Sequence, residues 1–258
     1  RPSLSECTLR GCAVRFAHGC ATMIAPIGRR DMEQNAATRD ARGGRVRGAG
    51  EVRTRIMACA VREFASKGFA KASLRSIAAA ANVTTGAIYG YFAGKEALFD
   101  AIVSPAGEEL YQRYVSMQEG FYRLPLEAQT FDRMEDYETG MVHRILDYVY
   151  DNREVFALIL FRSAGTSWER YLDRFIDLEV ESTFRYAREM RGHGVAVNDL
   201  DPAMARALAG MFYRGYFEPL ALGMDRDEAH AFVSDLERFF RTGYIELMKG
   251  GEGATPVE

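Results

Sequence analysis

The sequence predicts an all-α protein, and two features of its 258 residues support this. From residue 51 onward, apolar residues recur every three or four positions, which is the spacing of one buried helix face, and helix-capping residues separate these stretches. No segment longer than four residues alternates apolar and polar side chains as a half-buried strand does. The predicted elements therefore form a series of helices joined by short loops.

Charge divides the chain into a basic part and an acidic part. Residues 1–50 carry nine arginines against four acidic residues, and residues 51–100 carry seven basic against four acidic residues. Residues 101–258 carry 17 basic and 28 acidic residues, so the three net charges are +5, +3 and −11. This asymmetry predicts that the N-terminal part meets a polyanion. No run of 18 apolar residues occurs, which predicts no membrane partner.

The two ends of the chain lack helical periodicity. Residues 1–50 end in the Gly- and Arg-rich stretch "ARGGRVRGAG", and we predict that they form a disordered basic arm. The stretch before Met32 reads poorly as folded protein, so we expect natural translation to start at Met32 or Met23. We also predict a disordered tail over residues 251–258.

The first two helices follow from apolar spacing. Val52, Ile56, Ala60 and Phe64 recur every fourth residue, and the helix is predicted to end at Lys67-Gly68, a cation followed by a glycine. A second, short helix follows. Its predicted N-cap is Ser73, and its apolar face consists of Leu74, Ile77, Ala78 and Ala81.

The third helix is predicted to follow a tight turn. Asn82 tolerates the positive φ of such a turn, Thr84 can cap the helix N-terminus, and Ile88 faces inward. The stretch "TTGAIYGYFAGKEALF" contains this helix, which we expect Gly94 to end, and then the start of a fourth helix. Pro105 either kinks or interrupts the fourth helix.

Five more helices are predicted in the remaining chain. The fifth has Met134, Tyr137, Met141, Ile145 and Tyr148 on one face, and the sixth covers about 153–164. A capping box from Thr166 to Glu169 opens the seventh, which ends near Arg191. Asp201-Pro202 opens the eighth, and Asp225 with Glu228 opens the ninth.

The second and third helices have helix-turn-helix spacing, which predicts DNA binding. The second helix of such a pair lies in the major groove, and a helix N-terminus suits phosphate oxygens. Residues expected to face DNA are Thr84, Thr85, Gly86, Tyr89, Tyr91 and Lys95. We expect the arm residues Arg42, Arg45 and Arg47 to contact the DNA backbone or minor groove. The alternative reading is that the aromatic residues only seal a helical junction.

Residues 51–99 resemble the DNA-binding domain of the TetR (tetracycline repressor) family. The matching pieces are "AVREFASKGF", "SLRSIAAAANVTTGAIYGYF" and "GKEALF". The resemblance implies nine helices and a cytoplasmic homodimer that represses transcription until a small molecule releases it from operator DNA. It also implies DNA contacts at the third-helix residues above and at Lys95. The predicted domains are 51–97 for DNA binding and 98–250 for regulation.

The sequence departs from the family pattern in the DNA-reading segment. Asn82 stands where the family usually has a turn glycine, and Gly90 replaces a larger residue. No Arg, Lys, Gln or Asn lies between Thr85 and Tyr91 to make bidentate base contacts. A helical ligand-binding or interaction protein with little operator specificity therefore remains an alternative.

The acidic body is predicted to dimerise and to bind a hydrophobic effector. Apolar stripes on the eighth and ninth helices predict a dimer interface, formed by Met204, Leu208, Met211, Phe232, Leu236 and Phe239. Bulk and helical position select the effector-contacting residues, which are Tyr148, Phe156, Phe161, Trp168 and Phe217. Arg144 and Arg162 are possible partners for an acidic effector, and ordinary core packing is the alternative for each aromatic residue.

No enzyme motif stands out, so we predict no catalytic residues, no metal and no cofactor. The sequence contains no Gly-rich nucleotide loop, nucleophile elbow or zinc-binding His pair. We expect His143 to be a satisfied or solvated histidine. Glu179 and Glu181 are expected to be solvated surface charges.

Overall fold

The computed structural model describes residues 43–123, 142–194 and 197–248. Residues 1–42, with the predicted translation starts and Arg42, lie outside the described residues. So do the 251–258 tail and the beginning of the predicted fifth helix, including Met134, Tyr137 and Met141.

The described residues are helical and contain no strand, which confirms the all-α prediction. The first four helices are α1 (Gly43–Lys71), α2 (Leu74–Ala80), α3 (Thr85–Tyr89) and α4 (Lys95–Tyr122). Next come α5, the helical residues 142–151, and α6 (Arg153–Phe161). A 3₁₀ turn (Ser167–Arg170) comes next, and the last three helices follow it in order: α7 (Tyr171–Gly192), α8 (Pro202–Leu222) and α9 (Arg226–Met248). None of the described helices is long and apolar enough to cross a membrane.

The chain divides into two compact units. Within the described residues, the N-terminal unit comprises 43–108 and Glu154–Glu169. The C-terminal unit comprises 109–123, 142–153, 170–194 and 197–248. This division differs from the boundary predicted at residue 97. The first turns of α4 belong to the N-terminal unit because Phe99 is fully buried in its core.

Three phenylalanines form the centre of the N-terminal unit. Ring centroids lie 5.1 Å apart for Phe64 and Phe99, 5.5 Å for Phe69 and Phe99, and 6.0 Å for Phe64 and Phe69. Gly68 makes this cluster possible, because its φ of 72° interrupts α1 and turns Phe69 back toward the core. The helix is thus interrupted at the predicted Lys67-Gly68 position, and its last turn resumes up to Lys71.

Trp168 lies against α4 in the same unit. Its indole Nε1 donates to Asp100 Oδ1 at 2.9 Å, and its side chain is buried. A Cβ added to Gly107 would lie 2.4 Å from Trp168 Cζ3 and 3.1 Å from Ile159 Cδ1. Position 107 therefore has room for glycine alone beside the indole ring.

Caps fix the starts of the last two helices as predicted. The Asp201 carboxylate accepts from the N–H groups of Ala203 and Met204, at 2.9 and 3.0 Å. Asp225 and Glu228 form a reciprocal capping box, in which each carboxylate accepts from the other residue's N–H at 2.9 Å. These bonds satisfy helix N–H groups that have no partner within the helix.

Several predicted boundaries need correction. Helix α1 begins at Gly43, so the arm predicted to be disordered through residue 50 is helical from that point. Helix α4 continues through Pro105, which excludes the interruption that was one of the two alternatives predicted there. Ser73 occupies the N-cap of α2 without a side-chain capping bond. The Thr166 hydroxyl accepts from Trp168 N–H, and Glu169 accepts from Gly165 N–H, which gives a shifted form of the predicted box.

Candidate functional sites

The turn between α2 and α3 has helix-turn-helix geometry. Asn82 has a φ of +50° and is the one non-glycine residue with positive φ among the described residues. This confirms the prediction for that position, because asparagine enters the left-handed region more readily than most residues. The Val83 N–H then donates to Ala78 O at 3.0 Å, and Ile88 is fully buried. The turn thereby anchors α3 on one side only.

Helix α3 presents its other side to solvent. The Thr84 hydroxyl caps it by accepting from Ala87 N–H at 3.1 Å, as predicted. Tyr89 is 58% exposed, and Gly86 is exposed while Thr85 is half-buried. The helix ends at Tyr89, not near Gly94, so the exposed Tyr91 follows it in the next turn. The predicted contact residues 84–91 thus lie on one short accessible segment.

Lys95 has a different structural role from the predicted DNA contact. Its ammonium donates to the main-chain carbonyls of Phe69, Ala70 and Ala72, at 2.7, 3.2 and 3.2 Å. It also lies 4.4 Å from the centroid of the Phe69 ring. All three N–H bonds therefore go to the C-terminal end of α1, where carbonyls lack helical partners. The phosphate contact expected for Lys95 is at odds with this arrangement.

Two basic residues near the turn were missed at the sequence level. Arg55 Nε donates to Ala81 O at 2.8 Å, at the C-terminal end of α2. The Arg53 guanidinium lies 5.3 Å from the Phe92 ring centroid, beside the turn that carries Tyr91. Arg53 and Arg55 stand in the sequence next to the buried apolar positions that begin at Ile56. This placement of basic residues beside the buried face was the signal that could have revealed them. The predicted Arg45 and Arg47 lie in the first turns of α1, before these two residues.

Residues 56–102 match the sequence profile described as "Bacterial regulatory proteins, tetR family". The match spans the turn, α3 and the start of α4, where the geometry above was found. The matched segment is therefore similar to the N-terminal domain of tetR-family regulators. Members of this family are transcriptional regulators that act by binding DNA and not by catalysis, so the prediction that the chain is no enzyme agrees with the match.

Solved structures of transcriptional regulators resemble the chain at low identity. SCO3833, a TetR-family regulator from Streptomyces coelicolor A3, is 20% identical over 73% of this chain and 90% of its own, with a TM-score of 0.49. NalD, the secondary repressor of the MexAB-OprM multidrug efflux pump in Pseudomonas aeruginosa, is 21% identical over 73% and 96%, with a TM-score of 0.43. Bacillus subtilis FadR, solved with stearoyl-CoA, is 15% identical over 74% and 98%, with a TM-score of 0.46.

A largely apolar cavity lies within the C-terminal unit. Its unoccupied space is about 440 Å³, the opening toward solvent included. Its wall contains aromatic residues from α4, α7 and α8, namely Tyr114, Phe175, Phe212, Tyr213, Tyr216 and Phe217. Aliphatic residues from α4 and α5 complete it, namely Leu110, Met117, Val142 and Ile145. A concave apolar space of this kind suits a small organic ligand.

A buried polar cluster adjoins the cavity. Glu179 on α7 is 3% exposed, and its Oε2 accepts from the hydroxyls of Tyr114 and Tyr213 and from Gln118 Nε2 at 3.1 Å. Burial raises the pKa of Glu179 to about 7, although the three hydrogen bonds act to lower it. Burial likewise raises the pKa of both tyrosines well above their usual value, with the Glu179 charge as the next cause.

Most of the residues predicted to contact the effector lie outside the cavity. Of the five aromatic residues, Phe217 lines the cavity. Trp168 and Phe156 are core residues of the N-terminal unit, while Phe161 is 43% exposed there. Tyr148 stacks under the Arg113 guanidinium at 4.6 Å and does not line the cavity. Helical position showed which aromatic residues are buried, but not in which unit.

The charged residues considered for the effector also lie elsewhere. Arg144 and Arg162 are exposed, and neither lines the cavity. The prediction that Glu179 is a solvated charge was wrong, whereas Glu181 is exposed as expected. Glu179 lies on the same face of α7 as the buried Phe175 and Tyr186, four and seven residues away. An acidic residue within an apolar stripe was the signal that could have revealed it.

Part of the predicted dimer surface is exposed. Met204 is 48%, Met211 53% and Phe239 74% exposed, on α8 and α9. The other predicted residues, Leu208, Phe232 and Leu236, are half-buried, and Leu236 packs against Gly215 within the chain. The surface thus combines exposed apolar tips with residues that serve the chain's own packing.

His143 and His230 form a pair on α5 and α9. Their Nδ1 atoms are 2.7 Å apart, and His230 Nε2 lies 3.1 Å from Asp147 Oδ1. Burial lowers the pKa of His143, with the neighbouring His230 as the second cause. The expectation of a satisfied histidine at position 143 fits this arrangement. No group of three or more metal-binding side chains occurs among the described residues.

Proposed function

We propose that this TetR-family regulator is a ligand-responsive repressor that binds a palindromic operator as a homodimer. The observation that carries the proposal is the helix-turn-helix at residues 74–89, whose second helix is capped, anchored by Ile88 and exposed at Tyr89. A helix held on one side and accessible on the other can enter a major groove. Such a regulator works in the cytoplasm, where its DNA is.

The surface chemistry favours contacts to the DNA backbone. The capped N-terminus of α3 and the Tyr89 hydroxyl can donate to phosphate oxygens. Arg53 and the predicted arm residues Arg42, Arg45 and Arg47 add positive charge on the N-terminal side. Because α3 lacks long amide or guanidinium side chains, operator choice depends on the arm and on DNA shape as well as on this helix.

Dimerisation supplies the second recognition helix. Two half-sites one turn apart need recognition helices about 34–36 Å apart, which one chain cannot provide. The exposed Met204, Met211 and Phe239 offer an apolar surface for a second copy.

The cavity of the C-terminal unit is the proposed effector site. An effector releases DNA if it binds more tightly to the arrangement whose half-site spacing misfits the operator. Reciprocity requires that operator DNA weaken effector binding by the same factor.

A gel-shift titration on the DNA upstream of the protein's own coding sequence tests the proposal. We expect a salt-dependent complex with two copies per site. Tyr89→Ala should weaken it without lowering thermal stability, because Tyr89 is largely exposed. Leu222→Ala, at another exposed position, serves as the control and should bind normally. Equal affinity for upstream and unrelated DNA would instead support the second candidate.

That second candidate is a ligand-binding helical protein with little operator specificity. The five-residue α3 without bidentate base-reading side chains favours it. This candidate predicts that the cavity binds a ligand and that all DNA sequences compete equally well for binding to the protein.

A further inference from the structure

A buried carboxylate lies directly behind the cavity wall. The rings of Tyr114 and Tyr213 form part of that wall, and both hydroxyls bond to Glu179 Oε2. Gln118 Nε2 approaches the same oxygen at 3.1 Å and the Tyr114 hydroxyl at 2.9 Å. The carboxylate is thus hydrogen-bonded directly to two residues of the cavity wall.

The described wall holds no cation to offset this charge. Its ten residues comprise six aromatic and four aliphatic side chains. The donors nearest to Glu179 are the two tyrosine hydroxyls and the Gln118 amide, and all three are neutral. A carboxylate ligand would therefore enter an apolar site that already holds one buried acid, and like charges there repel strongly.

A positive ligand would meet two favourable features in the same place. Aromatic faces attract cations, and groups of them recognise quaternary ammonium ions. The carboxylate adds Coulomb attraction in a region of low dielectric constant. We propose that the cavity takes an apolar ligand that carries a positive charge, a protonated or quaternary amine, and discriminates against carboxylates. This inference rests on the proposed function, since it names the effector class for the same cavity.

Protonation of Glu179 gives the inference a second signature. Burial brings the pKa of this carboxyl to about 7, so its charge changes near neutrality. The groups that face it are Tyr114 and Gln118 on α4 and Tyr213 on α8, and the two tyrosines stay protonated through this range. Cation affinity should therefore be higher at pH 8 than at pH 6, while the affinity of a neutral ligand should not change.

Three probes of one skeleton test the charge preference by calorimetric titration of the full chain. They are 4-phenylbutylamine, 4-phenylbutanol and 4-phenylbutyrate, which are cationic, neutral and anionic at pH 8. We expect the amine to bind at least about tenfold more tightly than the butyrate, with the alcohol between them. Ile145→Trp should weaken all three probes, because Ile145 lines the cavity and a larger side chain would fill it.

Glu179→Gln isolates the charge, because glutamine keeps the shape and can still accept hydrogen bonds. We expect this variant to bind the alcohol as wild type does while its preference for the amine falls to about threefold or less. Glu181→Gln, an exposed carboxylate on the same helix, is the matched control and should keep the preference. If Glu179→Gln fails to fold, the comparison of pH 6 with pH 8 in wild type gives the same test.

The outcomes separate this inference from the proposed function. The inference is overturned if the butyrate binds as tightly as the amine. It is also overturned if the preference for the amine survives Glu179→Gln or is equal at both pH values. In each of these cases the cavity remains a ligand site. Failure of every probe to bind argues against the effector site itself, and the inference falls with it. Selective amine binding that leaves operator affinity unchanged supports the ligand class and refutes regulation by this cavity.

Discussion

Gly107→Ala should destabilise the N-terminal unit even though it replaces glycine by a better helix former. The new Cβ would stand 2.4 Å from Trp168 Cζ3 and 2.9 Å from Cη2, and the hydrogen bond to Asp100 holds the indole in place. Overpacking of this kind costs about 1–3 kcal/mol or more, and a contact as short as 2.4 Å places the cost at the upper end of that range. The higher helix propensity of alanine offsets about 1 kcal/mol of this cost. We expect a net loss of roughly 2 kcal/mol in the free energy of unfolding.

Urea denaturation followed by Trp168 fluorescence measures this loss directly, since Trp168 is the single tryptophan. Gly50→Ala is the matched control, because it lies in α1 with no atom within 4 Å of the added Cβ. The control should be neutral or stabilising by up to about 1 kcal/mol. Followed by circular dichroism, Trp168→Phe should recover part of the loss caused by Gly107→Ala, because the smaller ring withdraws from the clash. A Gly107→Ala variant as stable as wild type would refute the reasoning.

Three other expectations follow from single side chains. Lys95→Met should lower the free energy of unfolding by about 1–3 kcal/mol, because three carbonyls lose a charged donor. If Lys95 instead only contacts DNA, stability will be unchanged, and the slope of DNA affinity against salt concentration will fall by about one unit. Phe239→Glu should sediment as a monomer with normal helicity, because the side chain is 74% exposed, and a wild-type dimer would disprove its place in the interface. The folded-state pKa of Glu179 is raised from 4.5 to about 7, so the folded chain binds more protons than the unfolded chain in that window. Stability should therefore fall by up to about 3 kcal/mol as pH rises from 4.5 to 7, and Glu179→Gln should remove that share of the slope in urea titrations at several pH values.

Local chemistry explains why the helix-turn-helix could be predicted. The positive φ of Asn82 and the side-chain cap of Thr84 depend on the residue type and on neighbours only a few positions away in the chain. The same holds for Asp201 and for the box of Asp225 with Glu228. Such features need no knowledge of distant contacts, so the sequence and the structure agree there.

The cavity could not be predicted because it depends on long-range packing. Trp168 and Phe217 both look like buried aromatic residues on helices, yet they belong to different units. Apolar spacing shows that a helix face is buried without showing what covers it. Lys95 illustrates the same limit, since its partners at Phe69 to Ala72 lie more than 20 positions earlier in the chain.

The left-handed conformation at Asn82 also limits how this turn can change through mutation. Glycine and aspartate can adopt the same backbone angles at little cost, whereas a β-branched residue such as isoleucine cannot. A codon for asparagine reaches aspartate or isoleucine by one nucleotide change, but it reaches glycine only by two. Drift from this turn to the glycine form common in the family therefore has a tolerated route through aspartate, while the direct step to isoleucine would strain the joint between the two DNA-binding helices.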